Sequence, residues 1–211
     1  FSFYANKNIT TGEGGMLVTN DDELAESVRI MRLQGISRDA WKRFGNSGFA
    51  HWEQTLAGHK CNMTDLNASL GLHQIKKIEQ FTELRKKYVS MYDEAFADMP
   101  ELETLAVRDY VVSAHHIYII ALHLECLTID RDEFLDAIQS AGIGVDVHYV
   151  ALHLQPYFAK NFNTKPQDFP VASNYSERVI SLPLYPKMSS DDVESVIRTV
   201  KDLIKKFRRS R

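Results

Sequence analysis

The sequence has few cysteines and no large excess of acidic or basic residues. It contains two cysteines in 211 residues, Cys61 and Cys126, and neither belongs to a Cys-x-x-Cys pair or a Cys/His cluster. A disulfide framework and a zinc site are therefore not expected, and free thiols predict a reducing compartment, the cytoplasm. The formal net charge of -3 also gives no electrostatic basis for binding nucleic acid.

Long apolar runs are absent as well. The longest strongly apolar run extends from Tyr118 to Leu122, whereas a membrane-spanning helix needs roughly 20 such residues. No membrane partner is therefore predicted. Hydrophobic residues make up 44% and charged residues 25% of the chain, the usual balance of a folded globular protein. The chain begins with Phe1 rather than Met, which predicts processing or a missing front part.

The first part of the chain predicts a strand, a helix, a loop and a second, long helix. Residues 16–19 have the composition of a short strand, and Asn20 or Asp21 can cap the helix that follows. Residues 35–60 are polar, aromatic and interrupted by glycines, which is typical of a functional loop. An apolar stripe then predicts a helix over residues 64–98, long enough to link two domains.

The remainder predicts a compact α/β domain. Residues 117–122 and 143–149 have the composition of strands, with a helix between them. A short helix is expected near residues 172–180. The last helix has Ser189 and Asp192 at the spacing of a capping box, followed by a clear amphipathic stripe. The fold class expected from the sequence is therefore α/β.

A lysine precedes a glycine-rich segment at the start of the chain. Phe1-Ser-Phe-Tyr-Ala-Asn-Lys7 is followed by Thr10-Thr-Gly-Glu-Gly-Gly15. A P-loop has its glycines before the lysine and a helix after it, but here the order is reversed and a strand is expected next. From these residues alone, the ordinary interpretation of Lys7 is a surface lysine beside a tight turn.

Four motifs in order resemble the DegT/DnrJ/StrS family of sugar aminotransferases, and together they cover essentially the whole chain. They are the segment from Phe1 to Gly15, Gly58-His-Lys-Cys-Asn62-Met-Thr-Asp65, Val147-His148-Tyr149-Val-Ala-Leu-His153 and Ser181-Leu-Pro-Leu-Tyr-Pro186. The resemblance implies the type I fold of transferases that depend on pyridoxal 5'-phosphate (PLP).

The resemblance also implies a division of the chain. In this family, roughly the first half of the protein precedes the lysine motif. Residues 1–60 would then be the end of the large PLP-binding domain, residues 61–98 a linking helix, and residues 99–211 the small C-terminal α/β domain. Groups that hold the ring and part of the phosphate would lie outside this chain, so the chain alone is expected to be inactive.

The resemblance assigns cofactor roles to three residues. Lys7 would bond covalently to PLP and then carry protons during the reaction, because an amine can act both as nucleophile and as acid or base. Ser2 would bind the cofactor phosphate, and Asn62 would reach the phosphate of the neighbouring subunit in a homodimer. From the residues alone, Ser2 could be a hydroxyl at a strand start and Asn62 a helix cap.

Substrate binding is expected in the C-terminal domain. By resemblance, His148, Tyr149 and His153 would line the pocket for a nucleotide-linked sugar, although a histidine at a strand end is often only structural. No metal is expected, because the two histidines have no third ligand at metal-site spacing.

The resemblance therefore implies an aminotransferase that moves an amino group, with glutamate as the expected donor, to the keto carbon of a nucleotide-linked sugar. The amino-sugar product would enter glycan, lipopolysaccharide or antibiotic-sugar biosynthesis. The alternative is an interaction or regulatory protein that retains the fold without the reaction.

Overall fold

The computed structural model describes residues 1–36 and 53–209. Most of the loop expected over residues 35–60 therefore lies outside the described residues. The chain divides into two compact units, Phe1–Ile78 and Glu79–Arg211.

The first unit contains helices α1 (Asp22–Met31) and α2 (Asp65–Gln74). The predicted cap of α1 is confirmed, because the Asp21 side chain accepts a hydrogen bond from the Leu24 N–H at 3.0 Å. Thr64 caps α2 in the same way through its hydroxyl oxygen. Both helix starts are therefore fixed by a side chain within three residues.

The strand predicted over residues 16–19 is not present. Ser2 and Gly15 form an isolated antiparallel bridge, and Phe1 and Met16 exchange two backbone hydrogen bonds of 2.7 and 2.9 Å. Pairing between the start of the chain and the segment around Gly15 ends at Met16. The prediction was wrong because β-propensity produces a strand only where a partner continues alongside.

The long helix is confirmed in outline but is not continuous. After α2, a 3₁₀ turn at Ile75–Lys77 leads into α3 (Ile78–Phe96), so helical structure ends before residue 98. The expected buried stripe holds for α3, where Tyr88, Tyr92 and Phe96 are buried.

The stripe expected to be buried is exposed in α2. Leu66 is 81% exposed, and Leu70, Leu72 and Ile75 are also largely exposed. At 3.6 residues per turn, Leu72 and Ile75 lie on roughly the opposite side of the helix from Leu66 and Leu70. The apolar side chains of α2 thus surround the helix instead of forming a single stripe.

The second unit contains an antiparallel sheet with the order β1-β2-β3. Its strands are β1 (Leu102–Thr104), β2 (Tyr118–Leu122) and β3 (Val179–Leu182), with Leu102 opposite Leu122 and Tyr118 opposite Leu182. Only β2 was predicted from the sequence.

The strand predicted over residues 143–149 is reduced to one bridge, between Asp146 and Ser181. The Val147 N–H donates to the Asp146 carboxylate at 2.7 Å instead of to a neighbouring strand. The prediction was wrong because this local side-chain bond competes with the sheet ladder.

Four helices complete the second unit: α4 (Arg131–Ser140), α5 (Pro156–Phe162), α6 (Pro170–Arg178) and α7 (Ser190–Phe207). The core combines side chains of the sheet with those of α3, α4 and α7. Each fully buried large apolar side chain contributes roughly 1.5–3 kcal/mol to folding. Ten of the largest are Tyr92, Ile120, Leu122, Leu127, Phe134, Ile138, Ile180, Val193, Val200 and Ile204.

None of the helices in the described part of the chain is both long enough and apolar enough to span a bilayer.

The capping box predicted for α7 is confirmed. The Asp192 N–H donates to the Ser189 hydroxyl oxygen at 3.1 Å, and the Ser189 N–H donates to the Asp192 carboxylate at 2.8 Å. We expect Ser189→Ala to raise amide exchange in the first turn of α7 about fivefold, the usual effect of losing an N-cap. Hydrogen–deuterium exchange with mass spectrometry measures this change.

Ser189→Thr is the matched control, since it keeps the hydroxyl and should exchange like the wild type. The box also lowers the pKa of Asp192, because the Ser189 N–H and hydroxyl both donate to the charged carboxylate. The stabilisation of the folded state by the charged Asp192 carboxylate is therefore present at neutral pH and is lost as the pH falls through the lowered pKa. An Asp192 titration with the same midpoint in wild type and Ser189→Ala would contradict a role for the hydroxyl.

Candidate active site

Lys7 lies in a loop that the backbone closes at its base. The carbonyl oxygen of Phe3 accepts hydrogen bonds from the Thr11 N–H at 2.9 Å and from the Thr10 hydroxyl at 3.0 Å. Residues 4–10 therefore form a closed loop, called here the lysine loop, with Phe3 and Thr11 at its neck. Lys7 itself is half-buried.

A cavity of about 480 Å³ lies in the first unit, between the glycine-rich segment and the start of α2. Gly14 has a φ of 152°, and a Cβ there would lie 2.6 Å from the Thr11 hydroxyl oxygen and 2.7 Å from the Met63 terminal methyl group. The close packing thus requires glycine at this position. The cavity is lined by Glu13, Gly14, Gly15, Cys61, Asn62, Met63, Thr64 and Asn67.

The structure places one of the predicted cofactor residues in the wall of this cavity and a second beside a residue that lines it. Asn62 belongs to its wall, and Ser2 is bridged to Gly15, which also lines it. Lys7 lies on the adjoining lysine loop and is not among the lining residues. Thr64, not Asn62, is the N-cap of α2.

Backbone bonds hold the segment before α2 against the end of α1. The His59 N–H donates to the Met31 carbonyl at 2.7 Å, and the Cys61 N–H donates to the Arg32 carbonyl at 2.8 Å. These bonds fix the chain directly before Asn62, which is itself exposed.

In the second unit, His148 is paired with a buried serine. Its Nδ1 atom lies 2.8 Å from the Ser181 hydroxyl oxygen, and Ser181 is only 6% exposed. The ring of Tyr149 meets the His148 ring edge-on at 4.7 Å between centroids, and Tyr149 is 67% exposed. The peptide bond between these two residues is cis.

His153 is more enclosed. Its Nε2 atom lies 2.8 Å from the Ser173 hydroxyl oxygen, and its ring packs against Phe169 at 4.8 Å. The Ser173 hydroxyl donates to the Pro166 carbonyl at 2.9 Å, so it must accept from His153. The hydrogen of a neutral His153 is therefore on Nε2.

The three predicted substrate residues thus differ in exposure, since Tyr149 is exposed, His148 is half-buried and His153 is buried. Their role in substrate binding stays a prediction. Within residues 1–36 and 53–209, no group of three or more histidine, cysteine, aspartate or glutamate side chains can hold a metal ion.

Sequence reasoning missed Thr11 and Asn67 as parts of the site. Thr11 is 2% exposed, and the Asn67 side chain donates to its carbonyl oxygen at 2.6 Å. The glycines beside Thr11 were a signal of close backbone packing, but the contact joins residues that are far apart in the sequence.

Comparison with known proteins identifies the family. The profile of the DegT/DnrJ/EryC1/StrS aminotransferase family matches residues 1–201. The chain belongs to this family. Its members include PLP-dependent sugar aminotransferases, and the resemblance to this family and the expected fold are confirmed.

Three relatives illustrate the match. The spore coat polysaccharide biosynthesis protein SpsC of Bacillus subtilis is 43% identical, over 97% of this chain and 53% of SpsC. Spr1654 of Streptococcus pneumoniae, a candidate sugar aminotransferase solved in its PMP form, is 33% identical with a TM-score of 0.85, over 98% of this chain and 52% of Spr1654. PseC of Helicobacter pylori, an aminotransferase involved in pseudoaminic acid biosynthesis, is 30% identical with a TM-score of 0.87, over 98% of this chain and 53% of PseC.

The chain spans about half the length of the relatives it matches. Spr1654 has been solved in a PLP form as well as in a PMP form.

The residues at the cavity fit part of PLP. The cavity lies at the start of α2, where backbone N–H groups and the helix dipole favour an anion such as a phosphate. Asn62 adds a side-chain donor on one wall, and the backbone of Gly14 and Gly15 forms part of the other.

The Ser173 contact generates a prediction about His153. In Ser173→Ala, the buried Nε2–H would lose its acceptor, which costs roughly 1–3 kcal/mol for a buried donor left unpaired. Urea unfolding should show this loss, and ¹⁵N NMR at a pH where the wild-type imidazole carries one ring hydrogen should place that hydrogen on Nε2.

Ser90→Ala is the matched control, since the Ser90 hydroxyl is exposed and donates only to a carbonyl of its own helix. A wild-type ring with its hydrogen on Nδ1, or equal losses in the two variants, would contradict the assignment.

Proposed function

We propose that the protein containing this chain is a PLP-dependent aminotransferase that converts a nucleotide-linked keto sugar to an amino sugar. The observation that carries the proposal is the closed lysine loop beside a cavity whose walls are the glycine-rich segment and the start of α2. In this proposal, residues 1–60 are the end of the large domain, 61–98 the linking helix and 99–211 the small domain.

When bound, PLP supplies the electron sink on which aminotransferases depend. The chain's own residues would anchor it and move protons. The Lys7 amine would attach the cofactor covalently and then accept and return a proton as general base and acid. Ser2 and Asn62 would donate hydrogen bonds to the phosphate.

The relatives and the polar residues of the second unit support the proposed substrate class. PseC is involved in the biosynthesis of pseudoaminic acid and SpsC in that of spore coat polysaccharide. His148, Tyr149 and His153 would bind the sugar nucleotide, and glutamate would supply the amino group. The free thiols of Cys61 and Cys126 support a cytoplasmic location for this reaction.

We further propose a homodimer in which Asn62 contributes to the cofactor site of the neighbouring subunit. Its support is the exposed position of Asn62 on the cavity wall, beside the apolar surface of α2, where Leu66, Leu70 and Leu72 are each more than half exposed. Such an apolar surface is typical of one that other protein covers, and in the proposed enzyme both the neighbouring subunit and the half of the protein outside this chain would be available to cover it.

The same surface would also serve an inactive protein that acts only by binding a partner. Such a protein needs the apolar surface of α2 but has no use for a reactive amine at Lys7. Covalent labelling at Lys7 therefore separates the two functions.

Borohydride reduction of the PLP-loaded protein should attach the cofactor to Lys7. Peptide mass spectrometry locates the label, and Lys7→Ala should abolish both labelling and transamination. Lys60→Ala is the matched control, because Lys60 is exposed close to the same cavity and should leave the label at Lys7. Label on Lys60 or Lys42 in the wild type would contradict the assignment.

Subunit complementation tests the dimer. Lys7→Ala and Asn62→Ala should each lose activity when alone. Mixed and allowed to exchange subunits, they should regain part of it, because one site of each hybrid dimer then has both residues intact. If native mass spectrometry shows hybrids and activity stays absent, Asn62 serves its own subunit.

A further inference from the structure

We infer that Asn67 is a positioning residue that holds the lysine loop against α2. The importance of this role rests on the proposed function. The contacts of Asn67 themselves all lie within the first unit. Asn67 also lines the cavity together with Asn62, five residues before it on the same segment.

Each polar atom of the Asn67 amide has a partner. The Nδ2 group donates to the Thr11 carbonyl at 2.6 Å and to the Glu13 carbonyl at 3.2 Å. The Oδ1 atom accepts from the Thr64 hydroxyl. A flipped amide would place Oδ1 against two carbonyl oxygens, so the orientation is set by its surroundings.

These bonds end at the neck of the lysine loop. The Thr11 N–H donates to the Phe3 carbonyl, and the Thr11 hydroxyl donates to the Glu13 carbonyl at 2.8 Å. Asn67 therefore ties α2 to the carbonyl of Thr11, at the neck of the loop carrying Lys7, and to the carbonyl of Glu13 in the turn that follows it. Its effect on the amine would be indirect, through the backbone of that loop.

Helix capping does not explain the side chain. Thr64 caps α2 by accepting from the backbone N–H of Asn67 at 3.2 Å, which any residue except proline provides. The two bonds to the turn need the amide group. Aspartate would have the same shape but no donor, and it would face two carbonyl oxygens with a negative charge.

The test begins with the cofactor-free protein containing this chain. Hydrogen–deuterium exchange should rise about tenfold in peptides covering residues 4–15 in Asn67→Asp and Asn67→Leu, since two hydrogen bonds to the turn are lost. Asn67→Gln retains both donors and should rescue most of the protection. Ser69→Ala is the matched control, because its hydroxyl donates only to Leu66 within α2.

A general loss of folding would also raise exchange in residues 65–74, so α2 is the internal reference. The inference is overturned if residues 4–15 keep wild-type exchange in Asn67→Asp, or if α2 and the loop lose protection together in both Asn67→Asp and Asn67→Leu. It is equally overturned if Ser69→Ala has the same effect.

A second readout uses the cofactor. In PLP-loaded protein, Asn67→Leu, which removes the amide without adding a charge, should shift the pH midpoint of the visible absorbance band, whereas Asn67→Gln should stay near the wild type. An unchanged midpoint in Asn67→Leu would contradict positioning of Lys7. Absence of the band in wild type and variants alike would instead contradict the proposed function. The exchange experiment would still show whether Asn67 holds the lysine loop.

Discussion

The proposed cofactor site depends on how the backbone polar groups of residues 1–16 find partners. Buried N–H and C=O groups must be hydrogen-bonded, and this segment forms neither helix nor sheet. Its groups are satisfied by one bridge at Ser2 and Gly15, by the neck at Phe3 and Thr11, and by the amide of Asn67. The conformation of the lysine loop therefore depends on backbone pairing within residues 1–16 and on one side chain outside them, that of Asn67.

In the second unit, a charged side chain forms the hydrogen bonds that backbone carbonyl groups outside the sheet need. Arg85 on α3 is 3% exposed, and its Nη1 donates to the carbonyl oxygens of His115, His116 and Leu184 at 2.8 to 3.1 Å. Burial lowers the pKa of this guanidinium, although arginine stays charged at any physiological pH. One side chain thus fixes the entry to β2 and the exit from β3.

The features that could be predicted from the sequence are those in which residues close together in the chain interact. The caps at Asp21 and Ser189 act within three residues, so composition and spacing were sufficient. Strands depend on partners that lie elsewhere in the chain, which is why β1 and β3 were missed. The site divides similarly, since Lys7 belongs to a linear motif, whereas the contact of Asn67 with Thr11 joins residues 56 positions apart.

The two histidines of the second unit would contact a sugar nucleotide through different ring atoms. His148 uses Nδ1 toward Ser181, so Nε2 is the atom left for a ligand. His153 uses Nε2–H toward Ser173, and its Nδ1 can then only accept. A neutral acceptor suits a sugar hydroxyl, which donates, but not a diphosphate, whose oxygens only accept when ionised. In the proposed complex, His153 would therefore accept from a sugar hydroxyl, and a diphosphate contact would come from a donor such as the Nε2–H of His148 or the hydroxyl of Tyr149.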